Sequence, residues 1–263
     1  MTQNPQQTAP EAAIDESMRL NRFLARAGVA SRRKSDDLIR RGAVRVNGEV
    51  VLQPGCSVVV GQDRVECKDV VVVLPAAYEY ILMCKPAGHL VTRVDMRGRP
   101  TVFDLLEEAH PGTVAVGRLD FDTTGLLLLT DDGELAFRLM HPRFGVEKRY
   151  RAQVAGTPRP TDLEQLRRGI ELEDGKTAPA RVQILERAKG KTHLELCLHE
   201  GRKRQVKRMC KAIGHRVLAL ERTAFAGHVP DGLKPGQCRH LKAAEVQALR
   251  TLVGLDAAND GGP

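Results

Sequence analysis

Apolar runs in this sequence are short. Val70 to Leu74 and Leu126 to Leu129 are representative of the longest, against the roughly 20 consecutive apolar residues that a membrane helix needs. A chain punctuated in this way builds its core from many short elements, and no membrane association is expected. Of its 263 residues, 42% are hydrophobic and 28% charged. That supplies a real core and excludes a wholly disordered or fibrous chain. The length fits one large domain or two smaller ones. Met1 to Ser17 carries three acids and no base. It matches neither a secretory signal nor an Arg-rich transit peptide, so the expected compartment is the cytoplasm.

Several chemistries find no support. The six cysteines, Cys56, Cys67, Cys84, Cys197, Cys210 and Cys238, include no Cys-x-x-Cys pair, so reduced thiols are expected and a zinc site is not. Asp174-Gly175-Lys176-Thr177 has the tail of a phosphate-binding loop. The required glycine six residues before the lysine is replaced by Ile170, with Gly169 one residue out of register. No G-x-G-x-x-G follows a strand, and no triad or zincin spacing occurs. The chain is expected to need no cofactor and no metal.

Charge is the informative composition. The net charge of +8 is focal: residues 19–47 carry nine bases and two acids, and residues 201–222 carry eight bases and one acid. Each patch is +7, leaving about −6 for the remainder. Two such patches on a mildly acidic body point to a polyanion partner. With nine aromatic residues and no Trp, a stacking platform for single strands is not expected, so recognition should rest on charge and shape.

Residues 1–17 and 256–263 read as disordered tails. Leu20, Phe23, Leu24 and Ala27 then form a helical stripe ended by Gly28. Ser31 is placed to cap a second helix over 32–41, with Gly42 after it. Val44 to Val50, centred on Asn47-Gly48, reads as a hairpin with a type I′ turn. Pro75-Ala-Ala reads as a linker. Beyond it, strands are expected at 80–84, 114–116, 126–130, 150–154, 182–186 and 193–198. Helices are expected at 102–107, 134–140, 161–168 (capped by Thr161, with Glu164 completing a capping box) and 202–213. Strands do not alternate with long helices, which disfavours a doubly wound parallel sheet.

Arg19-Leu-Asn-Arg-Phe-Leu-Ala-Arg-Ala-Gly-Val-Ala-Ser-Arg-Arg, followed by Gly42-Ala-Val-Arg-Val-Asn-Gly, resembles the αL-type RNA-binding module. That module occurs in a small-subunit ribosomal protein, in bacterial tyrosyl-tRNA synthetases and in several RNA-modifying enzymes. The resemblance implies RNA docking through Arg19, Arg22, Arg26, Arg32, Arg33 and Lys34. Charges and free N–H groups at the start of the second helix suit phosphates.

Gly117-Arg118-Leu119-Asp120-Phe121-Asp122-Thr123-Thr124-Gly125 places an Arg-x-Asp in a loop between apolar strands. On pattern alone this reads as an Asx turn, with Asp120 or Asp122 bonding its own backbone. The segment is, however, similar to the signature of RNA pseudouridine synthases, above all the bacterial ribosomal RNA branch with an N-terminal αL-type module. Lys85-Pro86-Ala-Gly88, Gly98 to Leu105, Gly133 to Ala136 with His141-Pro142, Lys148-Arg149-Tyr150 and Glu200 to Met209 extend the likeness, in order, over most of the chain.

The resemblance implies an α+β chain: a small αL-type RNA-binding module at 18–76, then a mixed, largely antiparallel-sheet pseudouridine synthase catalytic domain at 77–255. It implies a cofactor-free isomerase that flips a uridine of ribosomal RNA from its stack, as chemistry at the glycosidic bond requires. Asp120 matches the catalytic carboxylate, as nucleophile or as base. Lys207 matches its basic partner and Tyr150 the tyrosine that stacks on the uracil. Arg118 matches the arginine that fills the gap left by the flipped base. Arg202, Lys203, Arg204 and Arg208 are expected on RNA. The large-subunit (23S) rRNA is the favoured substrate, free or in a pre-ribosomal particle. The alternatives are a small-subunit (16S) rRNA synthase and a non-catalytic rRNA-binding or assembly factor. A monomer is the expected state.

Overall fold

The computed structural model describes residues 17–107 and 110–255. Apart from Ser17, both expected tails lie outside the described residues. The chain divides into two compact units at Ala76 and Ala77.

The first unit runs β1 (Ser17–Arg19), α1 (Leu20–Arg26), α2 (Arg32–Arg40), β2 (Val44–Val46), β3 (Glu49–Val50), β4 (Ser57–Val59), β5 (Val65–Cys67) and β6 (Val70–Val71). Ser17, assigned to the tail from sequence, instead opens β1, which pairs antiparallel with β4 and buries Met18. Leu20, Phe23 and Leu24 of α1 pack on Ile39 of α2 and on Val44, Val58 and Val65. Asn21 Nδ2 donates to Asp36 Oδ1 at 2.8 Å, linking the two helices. Ser31 Oγ caps α2 by accepting from Lys34 N at 3.4 Å. Asn47 and Gly48 sit at φ +53° and +84°, the left-handed pair that a type I′ hairpin requires. The small sheet has the order β3-β2-β5-β6.

The second unit runs β7 (Tyr80–Lys85), a 3₁₀ turn (Val102–Leu105), β8 (Val114–Ala115), β9 (Thr124–Thr130), α3 (Gly133–Met140), a 3₁₀ turn (Pro142–Phe144), β10 (Lys148–Ala155), α4 (Pro160–Arg168), β11 (Glu171–Leu172), β12 (Gly175–Lys176), β13 (Arg181–Ala188), β14 (Lys191–Leu198), α5 (Gln205–Ala212), β15 (Val217–Phe225), β16 (Cys238–His240) and α6 (Ala243–Leu252). Its main sheet has the order β13-β14-β10-β15-β9-β7-β16, with β8 also on β9. The β15–β9 pair is parallel and the others are antiparallel. This is the mixed, largely antiparallel sheet expected from sequence. Leu163 and Leu166 of α4 and Val206, Met209 and Cys210 of α5 cover β10, β14 and β15. Leu135, Ala136 and Leu139 of α3 and Leu249 of α6 cover Leu126 and Leu128 of β9.

Three local expectations need correction, and one strand is not anticipated. Helix α4 is capped by Arg159, not Thr161. Pro160 takes the first helical position, where its missing N–H costs nothing. Asp162, rather than Glu164, accepts from Arg159 N at 2.8 Å. Helix α5 starts at Gln205, three residues later than the pattern suggests, because Arg204 is left-handed at φ +52°. The 102–107 helix shrinks to one 3₁₀ turn. Strand β15, near the sheet centre, carries Glu221 and Arg222 mid-strand and has no legible apolar pattern.

Candidate active site

The loop from Gly117 to Thr123 leads into β9 and is anchored by its buried positions. Val116, Leu119 and Thr123 are buried, while Arg118 and Phe121 face outward. Thr123 N donates to Asp120 O at 3.1 Å and Gly88 N to Phe121 O at 2.8 Å. The loop is also held by a lysine that sequence reasoning passed over. Lys85, at the end of β7, is fully buried. Its Nζ donates to Pro86 O at 2.9 Å, Phe121 O at 3.3 Å and Thr123 O at 2.8 Å. Burial pulls its pKa down to about 8, against the opposing pull of Asp122 and Asp120. A buried cation normally needs partners, and here they are two carbonyls of this loop and that of Pro86.

Gly125 fixes the neighbouring geometry. It sits at φ +105°, and a Cβ there would lie 2.3 Å from the Arg222 carbonyl oxygen. Only glycine lets β9 and β15 run side by side at this point.

Asp120 projects from the loop into a cavity of about 810 Å³, a volume that suits a nucleoside-sized ligand. Arg118, Phe121, Lys148, Tyr150, Lys203, Arg204 and Arg222 also line it. Tyr150 lies on β10 between Leu196 and Arg222, half-buried. Lys207 reaches the carboxylate from α5. Its Nζ lies 3.4 Å from Asp120 Oδ2 and 2.5 Å from Asp122 Oδ1. The sequence paired Lys207 with Asp120 alone; the structure shares it, with the shorter contact to exposed Asp122. That hydrogen bond holds the Asp122 carboxyl below its ordinary pKa. Of the sequence-derived set, Arg118, Asp120 and Tyr150 thus line one cavity, and Lys207 joins them through its contact with Asp120.

Two residues expected on RNA are used otherwise. Arg202 donates to the carbonyls of Asp174 (3.2 Å), Gly175 (2.7 Å) and Lys176 (2.6 Å), and pairs with Glu200 at 3.3 Å. Arg208 forks onto both oxygens of Asp174 at 2.8 and 2.9 Å. Both side chains clamp the β11–β12 hairpin to the entrance of α5, Arg202 through its carbonyl and carboxylate bonds and Arg208 through both of its terminal nitrogens. Gln205 Nε2 adds a 2.6 Å bond to Glu200 Oε1. Lys203 and Arg204 remain exposed at the cavity.

In the first unit, Arg19, Arg32, Arg33 and Lys34 are exposed and Arg22 is half-buried. Arg26 places one guanidinium nitrogen 3.2 Å from Pro75 O. Among the described residues no helix is long and apolar enough to cross a membrane.

Comparison with known proteins bears on this arrangement. Residues 79–212 match the RNA pseudouridylate synthase family and residues 18–63 the S4 domain family. The chain is 44% identical to ribosomal large subunit pseudouridine synthase B of Bacillus subtilis over 236 residues, which is 89% of this chain and 96% of that protein. It is 43% identical to an uncharacterized RNA pseudouridine synthase of Aquifex aeolicus, over 90% of this chain and 96% of the relative. A crystal structure of a pseudouridylate synthase superposes with a TM-score of 0.64 at 31% identity, covering 88% of this chain and 99% of that one.

Proposed function

The chain belongs to the RNA pseudouridine synthases, and from that premise we propose that it isomerises one uridine of large-subunit ribosomal RNA with Asp120 as the catalytic carboxylate. The observation that carries the residue assignment is the position of Asp120. It lies on a pinned loop, in a cavity lined by Tyr150, with the Lys207 ammonium 3.4 Å away.

In the reaction the C1′–N1 bond breaks, the uracil turns, and C1′ joins C5. The C5 proton is lost and N1 gains one, so atoms balance without a cofactor. Asp120 acts at the sugar, either by bonding to C1′ or by removing a neighbouring proton. Both roles need an ionised carboxylate, and the Lys207 ammonium stands 3.4 Å from it as a counter-charge. Lys contacts a carboxylate as a point charge rather than as a fork, which is how one ammonium serves both Asp120 and Asp122. Tyr150 offers a ring for the base and a hydroxyl for proton transfer. Exposed Arg118 at the mouth is suited to fill the vacated stack.

Phosphate contacts fall to Arg19, Arg22, Arg26, Arg32, Arg33 and Lys34 on the S4 domain and to Lys203 and Arg204 at the cavity. Arg202 and Arg208 are left out, since their terminal nitrogens are bonded within the β11–β12 clamp. The choice of large-subunit RNA rests on the name of the 44% identical relative. The protein acts as a cytoplasmic monomer on free rRNA or on a pre-ribosomal particle.

The test is pseudouridine mapping after incubating large- and small-subunit rRNA transcripts with the protein, without added cofactor. One new pseudouridine in the large-subunit transcript is expected. A product in the small-subunit transcript would move the substrate assignment. Absence of product on both transcripts and on immature particles, with RNA still bound, would leave only a binding protein.

A further inference from the structure

The cavity wall carries more positive charge than the residues assigned above use. Its carboxylates are already matched: Asp120 by Lys207, Asp95 by Arg99 at 2.7 Å, and Glu200 by Arg202 at 3.3 Å. Two deep cations have no such partner. Lys148 and Arg222 are 8% and 2% exposed, and neither forms an ion pair among the described residues. Each is held by one backbone carbonyl: Lys148 Nζ by Val146 O at 2.9 Å, Arg222 Nε by Leu126 O at 2.7 Å. Arg222 Nη2 is buried without any hydrogen-bond partner.

The two charges are close together. Lys148 and Tyr150 lie two residues apart on β10, and Tyr150 sits directly opposite Arg222 on β15. The Phe225 ring brings the cations onto one surface, with Arg222 Cζ 4.7 Å and Lys148 Nζ 5.9 Å from its centroid. Burial, and secondarily Arg222, lower the Lys148 pKa to about 8. Two adjacent buried cations without a counter-ion are costly to the free protein. Such an arrangement is expected where a ligand completes it.

We propose that Lys148 and Arg222 form the subsite for the uracil base, donating to its carbonyl oxygens and holding the anion released when the C1′–N1 bond breaks. This rests on the reading that the cavity takes a flipped uridine. When that bond breaks, the bonding pair stays with the base and spreads onto O2 and O4. Preorganised donors aimed at developing charge in a water-poor site act on the transition state. The assignment is the same whether Asp120 works as nucleophile or as base, since both routes expel the same base. Depth selects the base over a phosphate. The flipped base enters furthest, whereas Lys203 and Arg204 are exposed and suit the backbone at the mouth.

The experiment uses a short transcript spanning the mapped site, with uridine or 5-fluorouridine at the target position. Enzyme is in excess, and loss of the parent nucleoside is followed over a single turnover. Fluorine at C5 stabilises the departing anion, so the protein has less to supply. Lys148→Met keeps the chain length and removes a buried charge, so the variant should fold at least as stably as wild type. Arg222→Lys keeps a charge and deletes the unpartnered nitrogen. Each variant should slow loss of uridine about a hundredfold, slow loss of 5-fluorouridine several-fold less, and bind RNA within about threefold of wild type. Equal losses on both nucleosides would overturn the subsite, as would no loss. Weakened binding with the salt slope reduced by about one would also overturn it, because that is the mark of a phosphate contact. A wild type that consumes neither nucleoside overturns the activity itself, and this subsite with it.

Discussion

The two basic regions carry the same local charge in the sequence and put it to different uses. In residues 19–47 the excess stays outside. Arg19, Arg32, Arg33 and Lys34 are exposed, and the acids nearby are few and close in sequence, as in the exposed Arg40–Asp37 pair. In residues 201–222 half of the eight bases are drawn into the fold. Arg202 takes three carbonyls, Arg208 takes Asp174, Lys207 takes Asp120 and Asp122, and Arg222 is buried against Leu126 O. Lys203, Arg204, Lys211 and Arg216 remain at the surface. The partners of the internal group are separated from it by up to about 96 residues. Charge density along a sequence therefore reports an excess but not its destination. In the proposed function the polyanion falls to the first region, while the second supplies the cation that holds Asp120 and Asp122.

The contrast predicts different failures. The largest belongs to Lys207→Gln, which leaves Asp120 without its cation. Single-turnover pseudouridine formation should fall about a hundredfold or more, with RNA affinity almost unchanged in the same assay. Next, Arg202→Met unpins the β11–β12 hairpin from α5. It should lower unfolding stability by about 2–3 kcal/mol in denaturant melts and leave the salt dependence of RNA binding at the wild-type slope. The double variant Arg32→Ala, Arg33→Ala should do the reverse. Its melting should match wild type, while the slope of log K against log salt shrinks by about two. A stability loss in the double variant, or a slope change in Arg202→Met, would erase the distinction between the regions.

The smallest effect concerns Lys85. Its pKa in the folded protein is lowered to about 8, below its value in the unfolded chain. The cost of burying the charge is therefore full below pH 8 and relieved as pH rises from about 8 towards the unfolded value. Stability measured by denaturant melts should gain over that window in wild type and gain less in Lys85→Met. Lys148, also lowered to about 8, retains part of the slope in the variant.

Much of the architecture was legible because it is written locally. The stripe Leu20, Phe23, Leu24, the Ser31 cap and the Asn47-Gly48 turn each depend on residues within four positions of one another. What escaped depends on distant chain. Strand β15 lacks a pattern because Arg222 is buried by a bond to β9 rather than by apolar character. The start of α5 shifts because Glu200 and the 174–176 carbonyls fix the residues before it. Lys85 and Lys148 look like surface lysines until the strands that bury them are paired. Asp120 is the opposite case. Its neighbours read as an ordinary turn, and the resemblance to a family singled it out. The geometry then gives that choice a physical basis, through the pinned loop and the nearby ammonium.

The most direct measurement compares wild type with Asp120→Asn on large-subunit rRNA, following pseudouridine and RNA binding in parallel. The substitution removes the negative charge and little else. Product should fall by about a thousandfold or more while the dissociation constant stays within about threefold of wild type. Turnover by Asp120→Asn near the wild-type rate would contradict the account, because the carboxylate would then not be the group that acts on the sugar.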